Sequence, residues 1–274
     1  MRVRYYSNLD KRLFMSKQFK TLLVYSAFVL AFMAINLLNN GNQFNILYIL
    51  WGLSPTIAAT ITTAVFYGKS SIKELFSRIV KKFELKWLGI LVSLQLITYI
   101  LGLLIYNLFE TIKPSDFSFS ILATIPSAFA TAFIFNIWEE IGWRGFLLEK
   151  IMTRYSLFLS SLVVGILWGL WHISYFLHNA NQNSLQFILV AVFWLVCSSF
   201  IYSYIYVRSE RSILAVGIFH AFSNTLQSVI INSELDFTKY FYYLTIAVAL
   251  TAIFFLIWQR KLFFKVVPQE PDHT

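Results

Sequence analysis

Eight apolar stretches, each about as long as a bilayer core is thick, constrain this chain more than any other feature of its sequence. They run at 20–38, 44–66, 87–109, 118–148, 157–177, 185–206, 213–231 and 240–258. A helix needs about 20 mostly apolar residues to cross the hydrocarbon. The fourth stretch is longer than a span and carries charges in its second half, and the connections between stretches are short. The expected fold is all-α: a polytopic membrane bundle of about eight transmembrane helices, with residues 1–274 forming one integral-membrane domain. Composition agrees, with 58% hydrophobic and 13% charged residues, against about 25% charged in soluble domains. That excludes a soluble enzyme, a disordered chain and a nucleic-acid-binding domain. Despite the net charge of +9, the expected partner is the lipid bilayer and not nucleic acid.

The basic residues orient the bundle. Nineteen of the 22 lie before the first stretch, between the second and third, or after the fourth, sixth and eighth. Only Lys113 and Lys239 fall in the alternate loops, and Arg144 lies inside the fourth stretch. The positive-inside rule then places both termini in the cytoplasm of a multi-pass cell-membrane protein. The N-terminal stretch shows no clear small-residue cleavage site and reads as a retained anchor. Between the second and third stretches, Ile72, Leu75, Phe76, Ile79, Val80 and Phe83 share one helical stripe opposite a basic face. The pattern predicts a linker helix over 70–86 lying on the cytoplasmic lipid surface. The single cysteine, Cys197, excludes a disulfide framework and a Cys-type zinc site.

Against this background a few polar residues stand out. A charged side chain at mid-bilayer costs about 2.5–3.5 kcal/mol on insertion scales, so an ionisable group there is a functional candidate. The fourth stretch carries Glu139, Glu140 and Arg144, the fifth His172, the seventh His220 and Asn224. Glu140 and Arg144 are four residues apart and can pair on one helix face, as can His220 and Asn224. Glu139 is rotated by about 100° from Glu140 and need not share its role. A turn at Tyr155-Ser156 would make the fourth and fifth helices an antiparallel hairpin and bring Glu140 level with His172. Gly142 and Gly145 allow another helix to come close. His178, in the sequence His178-Asn179-Ala180-Asn181, reads as part of an exposed outer loop.

Such a constellation suits hydrolysis. A carboxylate in a dry pocket can act as general base, imidazole can hold the attacking water, and a second imidazole with a carboxamide can donate to an oxyanion. Alternatively Glu140, His172 and His220 could hold one metal ion such as zinc with a position open for water. At this point both accounts, zinc or no metal, stay open.

The residues Glu139-Glu140-Ile141-Gly142-Trp143-Arg144 resemble the E-E-x-x-x-R motif of the CPBP family, the CAAX-protease and bacteriocin-processing (Abi) intramembrane endopeptidases. Trp168-Gly169-Leu170-Trp171-His172 is similar to the family's F-x-x-x-H motif with Trp at the Phe position, and His220-Ala221-Phe222-Ser223-Asn224 matches H-x-x-x-N. The resemblance covers the expected catalytic core, 118–231. It implies an eight-helix intramembrane endopeptidase whose site opens to the cytosol. By residue it implies that Glu140 activates water with the help of His172, that His220 and Asn224 form an oxyanion hole, and that Glu139 and Arg144 support the site. The implied substrate is a hydrophobic, lipidated or membrane-associated peptide or protein, in maturation, bacteriocin processing or self-immunity. Two rival readings use the same residues, a proton-coupled transporter and a non-catalytic immunity or scaffold protein.

Overall fold

The computed structural model describes residues 2–38, 45–84, 86–179 and 182–265, with the side chains of 2–16 left aside. Every long element among them is helical. In chain order these are α1 (Arg2–Asn36), α2 (Ile46–Tyr67), α3 (Lys69–Ser77), α4 (Lys86–Asn107), α5 (Phe119–Ala123) and α6 (Ile125–Glu140). A π-helical segment, Ile141–Leu148, continues α6 into α7 (Glu149–Met152). Then come α8 (Leu157–His178), α9 (Leu185–Arg208), α10 (Ile213–Ile231), α11 (Phe237–Trp258) and α12 (Arg260–Phe264).

Polar residues mark where the apolar helices begin. Asn45 accepts from the Tyr48 amide at 2.9 Å, Ser184 from Phe187 at 3.1 Å, and Asp236 from Lys239 at 3.1 Å. Ser156 and Ser212 cap α8 and α10 in the same way. Each cap satisfies one amide that the first helical turn leaves without a partner, worth about 1 kcal/mol.

Seven helices are long and apolar enough to cross a membrane: Lys17–Asn36 within α1, then α2, α4, α8, α9, α10 and α11. The remaining expected span, 118–148, is a helical run divided at Thr124 and again where the π segment starts. Pro126 sits in the first turn of α6, where its missing amide is not needed. Pro55 lies inside α2, and the helix continues past it.

The hairpin expected around residue 156 is present: α7 ends at Met152 and Ser156 caps α8. Packing then follows small residues. A Cβ on Gly165 would lie 2.8 Å from Val196 Cα, and one on Gly169 would lie 2.9 Å from Val192 Cγ1. These glycines let α8 and α9 approach backbone to backbone. The α6 helix packs chiefly on α10 and α2, and α4 on α11.

Two expectations are corrected. The amphipathic helix ends at Ser77 instead of reaching 86. Beyond it the chain is pulled onto the bundle, since the Arg78 carbonyl accepts from the Ile213 amide at 3.0 Å and the Lys81 carbonyl from Ser212 Oγ at 2.8 Å. His178 is the last residue of α8 and is half-buried, its Nδ1 2.5 Å from the Ser174 carbonyl. Ala180 and Asn181 lie outside the described residues.

Candidate active site

The site forms where α6 passes into the π segment. Gly142 makes this possible: a Cβ there would fall onto the carbonyl group of Pro55. With only a hydrogen at that position, the turn bearing Glu140 and Arg144 lies directly against α2. Thr56 ties the two together by donating to the Trp138 carbonyl. The π segment is buried throughout. Its wider turn is a common device for aiming side chains at functional sites.

Glu140 and Arg144 are both 0% exposed, and Arg144 Nη1 donates to Glu140 Oε1 at 3.0 Å. The same oxygen lies 2.8 Å from Nδ1 of His220, which α10 presents at 4% exposure. The second carboxylate oxygen, Glu140 Oε2, has no partner among the described residues, nor do Arg144 Nε and Nη2. The guanidinium instead lies between two aromatic faces, 4.5 Å from the Trp168 ring and 4.7 Å from the Tyr202 ring. Cation–π attraction gains strength where water is excluded, so the rings stand in for solvent around a buried charge.

Trp168 is the hub. Its Nε1–H donates to Glu139 Oε2 at 3.2 Å, and its carbonyl lies 2.9 Å from His172 Nδ1. Its ring meets both site histidines edge-on, His172 at 5.7 Å and His220 at 5.4 Å between centroids. His172 is further packed against Trp171 and Trp51. Those two indoles stack at 4.1 Å, and Trp171 Nε1–H donates to Ser54 Oγ at 3.0 Å. With its Nδ1 proton given to the Trp168 carbonyl, His172 keeps Nε2 free as an acceptor.

Asn224, one turn beyond His220, donates from Nδ2 to Asn136 Oδ1 at 3.2 Å. Asn136 is 3% exposed and lies one turn before Glu140. Two α4 side chains back this part of α10: Gln95 donates to the Phe219 carbonyl at 3.3 Å, and Tyr99 to the Ser223 carbonyl at 2.9 Å.

The expected residues therefore fall into three groups. Glu140, Arg144 and His220 form one bonded network. Glu139 and His172 share Trp168, and Asn224 pairs with Asn136. Glu139 is half-buried, and its carboxylate makes no contact with Arg144 short enough for an ion pair. Glu140, His172 and His220 do not gather as a ligand set: among the described residues no three His, Cys, Asp or Glu side chains form a group that could hold a metal ion. Trp168 is marked in the sequence by its place at the head of the F-x-x-x-H-like motif, with no role attached, whereas Tyr202 and Asn136 are not among the site residues read from the sequence. Asn136 left a trace there, as a carboxamide four residues before Glu140 in an apolar run. Tyr202 left none.

Comparison with known proteins bears on this arrangement. The family model described as "Type II CAAX prenyl endopeptidase Rce1-like" matches residues 121–226, a stretch that holds all three motifs. The chain is also 26% identical over 225 residues to CAAX prenyl protease 2 of Methanococcus maripaludis, covering 78% of this chain and 81% of that protein. Both findings support the family that the motifs resemble.

Proposed function

We propose that this chain, a membrane endopeptidase of the type II CAAX kind, cleaves a peptide bond in a prenylated or similarly lipidated C-terminal peptide with a water activated by Glu139. The relative's name supplies the substrate class. The reading rests on one observation, the division of labour between two adjacent carboxylates. Glu140 is fully enclosed, with Arg144 and His220 on a single oxygen. Glu139 is half-buried and, among the described residues, accepts only the Trp168 N–H. A general base must reach water and take up a proton. Glu139 can do both, whereas protonating Glu140 would strand the Arg144 charge in a dry pocket. We therefore give the base to Glu139 and a holding role to Glu140, which the sequence had suggested for that task.

In this scheme Glu139 and His172 Nε2 accept the two hydrogens of one water. As its oxygen attacks the carbonyl carbon, Glu139 takes a proton and later passes it to the leaving amine nitrogen. Charge grows on the carbonyl oxygen. Asn224 Nδ2 has a second hydrogen to offer, because only one is used on Asn136. His220, held at Nδ1 by Glu140, offers an Nε2–H when its ring is protonated at both nitrogens. Donors of this kind typically lower the barrier by about 2.7–4 kcal/mol each. Among the described residues the side-chain set does not suit a bound metal. Peptide maturation and bacteriocin-related roles both use this chemistry, and we place the site in a cell membrane with access from the cytoplasm.

The test uses purified protein and synthetic peptides ending in a farnesylated CAAX sequence, with fragments read by mass spectrometry. Wild type should cleave with or without a chelator. Glu139→Gln should stay folded and lose at least ~100-fold in kcat. Glu140→Gln should lose melting temperature as well as activity, since breaking a buried ion pair costs about 3–5 kcal/mol. An active Glu139→Gln beside a folded, inactive Glu140→Gln would reverse the two roles. Chelator sensitivity would reinstate a metal, and cleavage by no form would favour the scaffold reading.

A further inference from the structure

The segment after α3 contacts both elements that carry the site, and one residue makes most of the contacts. Arg78 Nη1 donates to the Gly145 carbonyl at 3.3 Å, inside the π segment and one residue beyond Arg144. The same nitrogen lies 3.2 Å from Glu149 Oε2 and 3.0 Å from the Tyr206 hydroxyl. On its backbone side, the Arg78 carbonyl accepts from the amide of Ile213, the first residue of α10. His220 lies seven residues, about two helical turns, further along.

Gly145 is also where three elements meet. A Cβ there would lie 3.1 Å from Ile213 Cδ1 and 3.4 Å from Leu75 Cδ1. Arg78 thus holds the π segment with its side chain and α10 with its backbone. Those are the two elements whose side chains join at the 2.8 Å contact between Glu140 and His220. Glu149 is 7% exposed and takes a second cation, Arg211, at 3.1 Å. Burial works against the Arg78 charge, but Tyr206, Glu149 and Glu74 outweigh it, so the pKa stands above the ordinary arginine value.

We propose that Arg78 is a positioning residue that fixes the register of the π segment against α10 and so holds His220 on Glu140. The proposal builds on the catalytic reading above but can be measured apart from it. The variant used is Arg78→Ala combined with Glu149→Gln, so that the buried Glu149 carboxylate is not left with one of its two cations removed. Glu74→Ala is the control. Glu74 is exposed, and it touches Arg78 only through a surface pair.

Two readouts are taken on the full chain in detergent. The first needs no substrate: modification of His220 by diethyl pyrocarbonate, followed by peptide mass spectrometry. The double variant should react several-fold faster than wild type at His220, with an unchanged rate at His178 and a melting temperature close to wild type. Glu74→Ala should match wild type. The second is turnover of the farnesylated peptide, where kcat should fall about tenfold with KM within twofold. An unchanged His220 rate in the double variant, or a kcat equal to wild type, overturns the proposal. Faster His220 modification in a protein whose wild type cleaves nothing would sink the peptidase reading and leave the positioning role standing.

Discussion

At the scale of single residues, Trp168 separates wall from donor. Its ring lines the pocket for Arg144, His172 and His220, and its Nε1–H steadies Glu139. Trp168→Phe keeps an aromatic wall and deletes only the donor. A hydrogen bond to a charged group is worth about 1.5–3 kcal/mol, so kcat should fall roughly tenfold or more while KM and melting temperature change little. Steady-state kinetics on the lipidated peptide check this, and an unaltered kcat would remove Trp168 from the account of Glu139. The sequence was informative wherever a polar group had no business in an apolar run. The Glu140–Arg144 pair follows from four-residue spacing and is present at 3.0 Å. Trp168 was marked only through the motif it opens, and Tyr202 was not legible, because a tyrosine in a membrane helix is ordinary and carries no excess cost to notice. Nor could spacing tell which of two adjacent glutamates would be enclosed, since that depends on what the neighbouring helices bring.

Elements were legible to the extent that each helix obeys its own local chemistry. The apolar runs and their polar caps set the spans, and the turn before Ser156 follows from the run lengths on either side. The π segment was invisible. In a stretch whose one charged residue is Arg144, shifting the hydrogen bonds by one residue breaks no repeating pattern. Its cause is tertiary, the close contact of Gly142 with Pro55, and it can be tested against a second glycine. At Gly142 an added methyl meets a backbone carbonyl that cannot move aside. Gly142→Ala should therefore destabilise by about 1–3 kcal/mol. At Gly217, in the second turn of α10, the nearest atom would be Ile137 Cγ1 at 3.5 Å, an ordinary contact. Gly217→Ala should be neutral or stabilise by up to ~1 kcal/mol through helix propensity. Thermal unfolding of both variants in one detergent makes the comparison, and equal melting temperatures would show that the contact with Pro55 does not hold the π segment. The stripe over 70–86 failed for the opposite reason. Its pattern was real, but the amide of Ile213 and the hydroxyl of Ser212 took the carbonyls of Arg78 and Lys81 as their own caps.

Across the whole molecule, charges far apart in sequence gather at one end of the bundle. Lys17 and Lys150 both lie over the ring of Tyr67, Arg78 and Arg211 share Glu149, and Arg208 donates to Gln259 at 2.6 Å. Gln18 on α1 reaches the Lys150 carbonyl at the same end. The opposite end is sparser in charge, with Lys239 paired to Glu110 at 2.7 Å and the Glu234 amide on the Asp116 carbonyl. Translocating a loop that carries several lysines or arginines is disfavoured, and that bias sets orientation. The charged end should therefore face the cytoplasm. Single cysteines introduced into a Cys197→Ala background can test it: one at Lys73 on α3, the other at Ser115 in the short 3-10 turn Pro114–Asp116, both exposed. On intact cells a membrane-impermeant maleimide should label the Ser115→Cys protein, and the Lys73→Cys protein only after permeabilisation. The reverse pattern would turn the bundle over. It would put Arg78 and the approach to Glu139 on the outer face, and a substrate made and lipidated in the cytoplasm could then no longer reach the site from its own side.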